Sequence, residues 1–387
     1  MGLLRIYLAL CVVAAHAGGS ILPWPMHDSV EAVQIFFIIS GFYMALISEK
    51  YKTAIEFYAS RFLRIFIPYY VILGIVLAAC VVCGLAFGQW LDLSAYVNYS
   101  PGKNGLLGVA LTAITNFTVF FQDWVMFFQQ DAGTSFSFTP RFVSNASPLY
   151  QYLLVRQAWS IGTELTFYLL VPLLSKFKTR WLVVIAIVSL ALRIYVYQKL
   201  NLWKDPWSYR FFPFELLLFV AGMISYRVYA QTLSRWQIFK LQNLAQYLAF
   251  VVFMIFVFYE SQKVSAHLLK PLGRSYMFLG TYPFWVAAIP FLFHLTKDLK
   301  IDRFIGELTY PVYLIHFVVL EVVDVILANL SMSDHVAGYI TAVVSVVLSA
   351  FLYLVVFKPF EEKRQGFARE LSIKWGNLWK KPRRTSL

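Results

Sequence analysis

Arg5 and His16 stand eleven residues apart in the stretch RIYLALCVVAAH, the first apolar run of the chain. On a helix that spacing is about three turns with a residual rotation of ~20°, so the two side chains share one face, about 16 Å apart along the axis. A face carrying both groups at membrane depth must look into protein or a water-filled cavity. The plainer alternative makes Arg5 a headgroup anchor that snorkels and His16 a helix-end residue. If the face is internal, the chemistry on offer is acid-base or nucleophilic. A neutral imidazole, with a pKa of about 6.5, is the side chain best matched to take a proton near neutral pH, and it can also act as a nucleophile.

Four further sites join this pair. Arg61 and Arg64 in RFLRIFIPYY lie three residues apart on one helical face, either as a topology anchor or as two guanidinium forks suited to phosphate oxygens. Glu164 sits in the apolar stretch WSIGTELTFYLLVP with Trp159 and Tyr168 near it, where a carboxylate needs an Arg or His partner or a proton. Structural pairing and catalysis are both open to it. Ser40-Gly41, deep in AVQIFFIISGF, permits close approach of backbones or passage of a ligand. His316 in TYPVYLIHF fits a helix-to-helix hydrogen bond or a role in chemistry. No role is assigned to His27, His267, His294 or His335. Cys11, Cys80 and Cys83 all fall inside apolar runs and read as small buried hydrophobes, so neither a disulfide framework nor a metal site is expected. Zinc spacing, a nucleophile elbow and a phosphate-cradling Gly loop are all missing.

The elements that must position these residues are membrane helices. With 60% hydrophobic, 18% aromatic and 14% charged residues, the chain lies far from soluble composition. Apolar runs of crossing length lie near 30–48, 66–87, 105–128, 152–174, 181–197, 211–228, 244–259, 276–296, 308–329 and 336–357, after a shorter opening run over 3–17. The net charge of +13 is dispersed through short loops and a basic tail, so positive-inside topology explains it better than nucleic acid. Placing the basic loops on the cytoplasmic side leaves 105–128 with both ends outside. Its Asn116, Gln122 and Asp123 suit a re-entrant or interfacial segment. The expectation is an all-α polytopic bundle of about ten transmembrane helices plus one such segment, with both termini cytoplasmic. Residues 1–360 form the transmembrane domain and 361–387 a basic cytoplasmic tail against anionic headgroups. The span carrying the Arg pair is expected to begin after Pro68. Four Asn-x-Ser/Thr sequons, at Asn98, Asn116, Asn145 and Asn329, read as chance. The opening run also carries Ala15-His16-Ala17, a small-x-small signal-peptide cleavage site, which would discard His16.

The order of these motifs resembles the acyltransferase-3 family of integral membrane acyltransferases, from residue 5 to residue 316. In that family the first helix bears an Arg and a His at the spacing of Arg5 and His16. The second-helix pattern is followed through Phe36, Phe37, Ser40 and Gly41, with Gln34 where an acid is usual and Glu31 one turn earlier. Arg61, Arg64 and Pro68 match an R-x-x-R and a following Pro. WSIGTELTFY supplies Trp159, Ser160, Glu164, Phe167 and Tyr168, and YPVYLIH ends on His316. The resemblance implies that the opening helix is kept and that the chain is a stand-alone member without an appended esterase-like domain. It further implies an O-acyltransferase in a bacterial inner membrane, moving an acyl group, acetyl by family habit, from cytoplasmic acyl-CoA to a hydroxyl of an extracytoplasmic carbohydrate. That acceptor is a surface polysaccharide or its lipid-linked precursor.

On this reading His16 is base or transient acyl carrier, Arg5 orients the donor or stabilises developing charge, and Glu164 fixes the imidazole tautomer or pairs with a cavity Arg. Arg61, Arg64 and Ser40 serve acyl-CoA, while Trp159, Ser160, Tyr168 and His316 bind substrate or support the site. Acyl-CoA is the co-substrate, with no metal; membrane lipids are the other partners and nucleic acid is not one. The alternative is a membrane carrier or flippase for a polar or glycolipid solute, using the same intramembrane Arg, His and Glu.

Overall fold

The computed structural model describes residues 1–19, 21–22, 26–99, 105–131, 134–144, 147–235, 241–264, 281–330 and 336–378. Lys240, His267, Lys270, Arg274, His335, Asn145 and the KKPRR run at 380–384 lie outside them. The described chain is helical almost throughout. In order it forms α1 (Gly2–His16), α2 (Ser29–Ser48), α3 (Ala54–Phe87), α4 (Ser94–Val97), α5 (Leu106–Thr118), α6 (Gln122–Val125) and α7 (Trp159–Leu174). Then follow α8 (Thr179–Lys199), α9 (Phe212–Gln231), α10 (Leu244–Val264), α11 (Thr281–Thr296), α12 (Lys300–Asn329), α13 (Ala337–Leu352) and α14 (Lys358–Leu378), the last two joined by a π-turn over Tyr353–Phe357.

Among the described residues six helices are long and apolar enough to cross a membrane: α2, α3, α8, α9, α12 and the run Ala337–Glu361. Shorter apolar helices, α1 among them, pack with these in one bundle, whose flanks expose Val82, Leu85, Ile187, Val252 and Val343 as a lipid-facing surface would. The chain is a multi-pass, all-α membrane protein.

Local chemistry sets the helix ends that matter. Asp28 at the start of α2 accepts from the Val30 amide (2.8 Å), and Thr53 at the start of α3 accepts from the Glu56 amide (3.1 Å), each satisfying one orphan donor. The first turn of α1 is capped from another helix: Asp302 of α12 accepts from the amides of Gly2 (2.8 Å) and Leu3 (3.0 Å). That bond ties α1 to α12, its main neighbour. α2 lies against α9 with their backbones in contact. A Cβ on Gly41 would fall 1.9 Å from the Phe219 carbonyl oxygen, and one on Gly222 would fall 2.0 Å from that of Ile38. Only paired glycines let the two backbones touch.

Three features differ from the sequence expectation. First, α3 does not begin after Pro68; it runs unbroken through it for 34 residues. Proline removes the amide that would serve the Arg64 carbonyl, and in a bundle neighbouring side chains compensate; here the Tyr310 hydroxyl of α12 donates to the adjacent Ile65 carbonyl (3.0 Å). Second, the run 105–128 is no single segment. α5 ends where Val119 and Phe121 adopt left-handed φ values of 61° and 66°, and its last carbonyls are taken up by α3, Tyr69 donating to Asn116 O (2.6 Å) and Tyr70 to Phe117 O (2.7 Å). Asn116 spends its amide on the Tyr152 carbonyl (2.8 Å) and accepts from the Leu154 amide (2.9 Å). Third, a two-stranded hairpin follows, β1 (Phe128–Asp131) antiparallel to β2 (Thr134–Phe138), pairing Phe128 with Phe138 and Gln129 with Ser137. Its alternation is too short to stand out from the flanking apolar run.

Candidate active site

Helix α1 carries the two residues that open the sequence argument, and it delivers them to different places. Arg5 looks into a cavity of about 690 Å³. His16, at the last turn of α1, meets α12 instead. The cavity lies at the end of the bundle where α1, α3, α12 and α14 begin and where α2 and α11 finish, since Gly2, Arg61, Asp302, Glu361, Ile47 and Thr296 all line it.

Within that cavity the structure gathers most of the residues singled out above: Arg5, Ser40, Arg61, Arg64, Ser160, Glu164 and Tyr168. They are not equivalent. Arg64 arrives paired, its Nη2 on both Glu307 oxygens (2.9 and 3.1 Å) and its Nη1 on Glu361 (2.9 Å). Arg61 meets no carboxylate among the described residues; its Nη2 donates to the Tyr51 hydroxyl (3.2 Å), and its buried Nε has no partner there. Arg5 has neither hydrogen bond nor ion pair among the described residues, and its guanidinium lies 5.9 Å from the centre of the Tyr43 ring. Arg364, beyond the last span, adds a further cation at the mouth. Burial, with Arg64 and Arg61 close by, pulls it down to about 10, still charged at neutral pH. The mouth therefore offers cations in excess of its carboxylates, which suits a ligand with several anionic oxygens.

Glu164 has a different job from either one the sequence suggested. It accepts from the Ser40 hydroxyl and from Tyr168 (2.7 Å), and it forms no ion pair among the described residues. It touches no imidazole, so it cannot set the His16 tautomer. Ser40 is thereby tied to α7 and presents no free hydroxyl proton to a ligand. Trp159 lies outside the cavity, its ring stacked under the Arg210 guanidinium at 4.2 Å. Arg210, held bidentately by Asp205 (2.7 and 3.1 Å), sits in a polar loop where an Arg carries no signal, while Arg156, inside the apolar run 152–174, was a signal the sequence reading passed over.

The cavity closes at Phe36, Ser160 and Tyr313. Ser160 Oγ and the Tyr313 hydroxyl lie 2.7 Å apart, Tyr313 donates to the Gln157 carbonyl (3.0 Å), and the Phe36 ring meets Tyr313 edge-on at 6.5 Å. One turn beyond, fully buried His316 places Nδ1 2.8 Å from the Tyr313 carbonyl and Nε2 2.9 Å from His16 Nδ1.

This chain of contacts fixes its own protons. A carbonyl oxygen only accepts, so His316 Nδ1 carries the hydrogen. Neutral His316 then has a bare Nε2, which accepts from Nδ1–H of His16. His16 is left in the tautomer whose Nε2 is unprotonated. The imidazoles are parallel to within 8°, and Phe317 packs on His16 at 5.1 Å. The helix-to-helix hydrogen bond considered for His316 thus exists, and its partner is the candidate base itself. What the arrangement can do is hold one imidazole lone pair outward, beyond a cation-lined cavity.

The family described as "Acyltransferase domain" matches residues 1–356 of the chain. Over 216 residues the sequence is 23% identical to an uncharacterized protein of Aquifex aeolicus (strain VF5), an overlap covering 55% of this chain and 90% of that one. No solved structure matches. With a match over more than nine-tenths of its length and the motif residues of helices α1, α2, α3, α7 and α12 brought to one cavity and its closed end, the chain belongs to the acyltransferase-3 family of integral membrane acyltransferases.

Proposed function

We propose that the protein is a membrane O-acyltransferase that moves an acyl group, acetyl in the first instance, from cytoplasmic acyl-CoA to a hydroxyl of an extracytoplasmic carbohydrate. The observation that carries this reading is the relay Tyr313 carbonyl–His316–His16, which leaves His16 Nε2 bare. In this reading the large cavity opens to the cytoplasm of a bacterial inner membrane, both described chain ends lie on that side, and ten helices cross around the re-entrant α5. Acyl-CoA enters with its phosphates among Arg61, Arg364 and Arg5, and its acyl-bearing arm points toward Phe36 and Tyr313. The Arg64 charge is matched by Glu307 and by Glu361, which also bonds Arg364 (2.7 Å), so Arg64 shapes the mouth more than it holds phosphate, and the phosphates fall chiefly to Arg61 and Arg5.

Two routes use the same atom. As a base, His16 Nε2 takes the acceptor hydroxyl proton while that oxygen attacks the thioester carbonyl; the C–S bond breaks and the proton passes to the CoA thiolate. As a carrier, Nε2 attacks the carbonyl itself and the C–S bond breaks to release CoA as the thiolate; the acyl-imidazolium then passes its acyl group to the hydroxyl, whose proton goes to that thiolate as neutral His16 is restored. In both, His316 accepts the Nδ1–H bond and supports the positive charge that His16 acquires. The wall of Phe36, Ser160 and Tyr313 keeps bulk water from the thioester until it parts.

The test is transfer of labelled acetyl from acetyl-CoA by purified full-length protein in lipid nanodiscs, with a crude surface-glycan fraction as acceptor. Label appearing in glycan or as an acyl-enzyme supports the reading. Flux of a polar solute or glycolipid without acyl transfer identifies a carrier and overturns it.

A further inference from the structure

His16 does not line the large cavity, so an acceptor can reach it from another side. α3 is 34 residues long, about 50 Å of helix; Arg61 and Arg64 near its start line the donor cavity, and a second cavity of about 320 Å³ lies beyond its other end. Leu91, Asp92 and Asn98 line it from the turns after α3, Gln130 from β1, and Gln151 and Arg156 from the segment leading into α7. Its size is at the small end of ligand cavities, about 300–1,000 Å³, enough for a single ring and too small for an extended lipid.

The lining has a distinct chemistry. Three primary amides and two serine hydroxyls, Ser94 and Ser147, present donors and acceptors side by side. The one cation, Arg156, is matched by buried Asp92 at 2.6 Å and Glu321 at 3.6 Å, so no surplus positive charge remains for an anion. Two buried donors at this cavity have no partner among the described residues, Gln130 Nε2 and Arg156 Nε. Buried donors of that kind are costly unless something occupies them. A neutral polyhydroxylated ring, each hydroxyl both donor and acceptor, fits this balance better than a phosphate or an acyl tail. Arg156 also lies 5.4 Å over the Phe317 ring, whose own centre is 5.1 Å from that of His16. The cavity and the imidazole are therefore separated by a single aromatic ring.

We propose that this cavity is the subsite that holds a sugar ring of the acceptor, with Gln130, Gln151, Asp92 and Arg156 as its polar contacts and Phe317 as the surface over which the hydroxyl reaches His16. The inference rests on the acyl-transfer reading above for its purpose, and on the cavity itself for its existence. The experiment is saturation-transfer NMR on the full chain in nanodiscs, with the methyl glycosides of glucose, galactose and rhamnose as probes. The Gln130→Ala/Gln151→Ala variant removes two amides, one from β1 and one from a short 3-10 helix at Leu149–Tyr152, and touches none of the membrane-crossing helices. At least one glycoside should show saturation with the wild type, and the double variant should weaken it at least fivefold. In the acetyl-transfer assay with that glycoside, the acceptor KM should rise about tenfold while the donor KM moves less than twofold. Failure of every glycoside to bind the wild type, or undiminished binding to the double variant, overturns the proposal. A wild type that binds glycosides through these amides yet never acylates them upholds the subsite and sinks the acyl-transfer reading for such acceptors.

Discussion

At the scale of single residues, Arg5 and His16 share one helix, yet one looks into the large cavity and the other onto His316. That contact joins residues 300 apart in the chain, and no local pattern announces it. His316→Ala should lower kcat about 10²-fold with both KM values little changed, because it removes the group that fixes the His16 tautomer and supports its charge. His316→Gln, whose amide oxygen can accept from His16 Nδ1–H, should recover part of that loss in the same steady-state assay. Equal activity of the Ala and Gln variants would assign His316 to packing alone. The two arginines of α3 should also separate. Arg61→Ala should raise the donor KM about tenfold, the worth of one charge-assisted hydrogen bond. Arg64→Ala should act first on stability, since it leaves Glu307 without its ion-pair partner, whereas Glu361 keeps Arg364. Thermal unfolding of the purified variants, measured beside their donor KM, distinguishes the two.

At the scale of elements, long apolar periodic runs were legible and their interruptions were not. α2, α8 and α9 fall where the runs predict them, and α12 ends with its run but starts earlier, at Lys300. α3 overran its expected start because a proline that would break a soluble helix is served here by Tyr310 from α12, a tertiary compensation invisible locally. Asn116 and Gln122 stood out in the run 105–128 as polar groups that need partners. Which partners they take was not legible, since Asn116 bonds Tyr152 and Leu154, far along the chain. The Ser40-Gly41 pair splits its work. Ser40 bonds Glu164, and Gly41 lets α2 touch α9. Gly41→Ala forces a methyl group into the Phe219 carbonyl and should cost about 1–3 kcal/mol by overpacking. The readout is a lower melting temperature in detergent; an unchanged one would show that the helices separate freely at that crossing.

At the scale of the whole molecule, the proposed chemistry needs a donor on one side, an acceptor on the other and an imidazole between them. Two cavities at opposite ends of α3, with the His16–His316 pair beyond the closed end of the first, meet that need. Sidedness follows as a prediction. Lys50→Cys, at the mouth of the large cavity, should react with an impermeant maleimide only in inside-out vesicles, and Asn98→Cys, at the second cavity, only in right-side-out cells. The three native cysteines are all buried and keep the background low. Labelling of both positions from one side would contradict the arrangement. The dispersed positive charge sets the expected orientation, but which loop groups gather around a cavity depends on packing that composition does not encode.

The most direct test of the central claim is acyl transfer by His16→Ala in nanodiscs, scored against wild type for labelled acetyl moved from acetyl-CoA to glycan and, in parallel, for melting temperature and acetyl-CoA binding. The expected result is loss of transfer by at least about 10²-fold with fold and donor binding preserved. Transfer retained by a well-folded His16→Ala variant would contradict it.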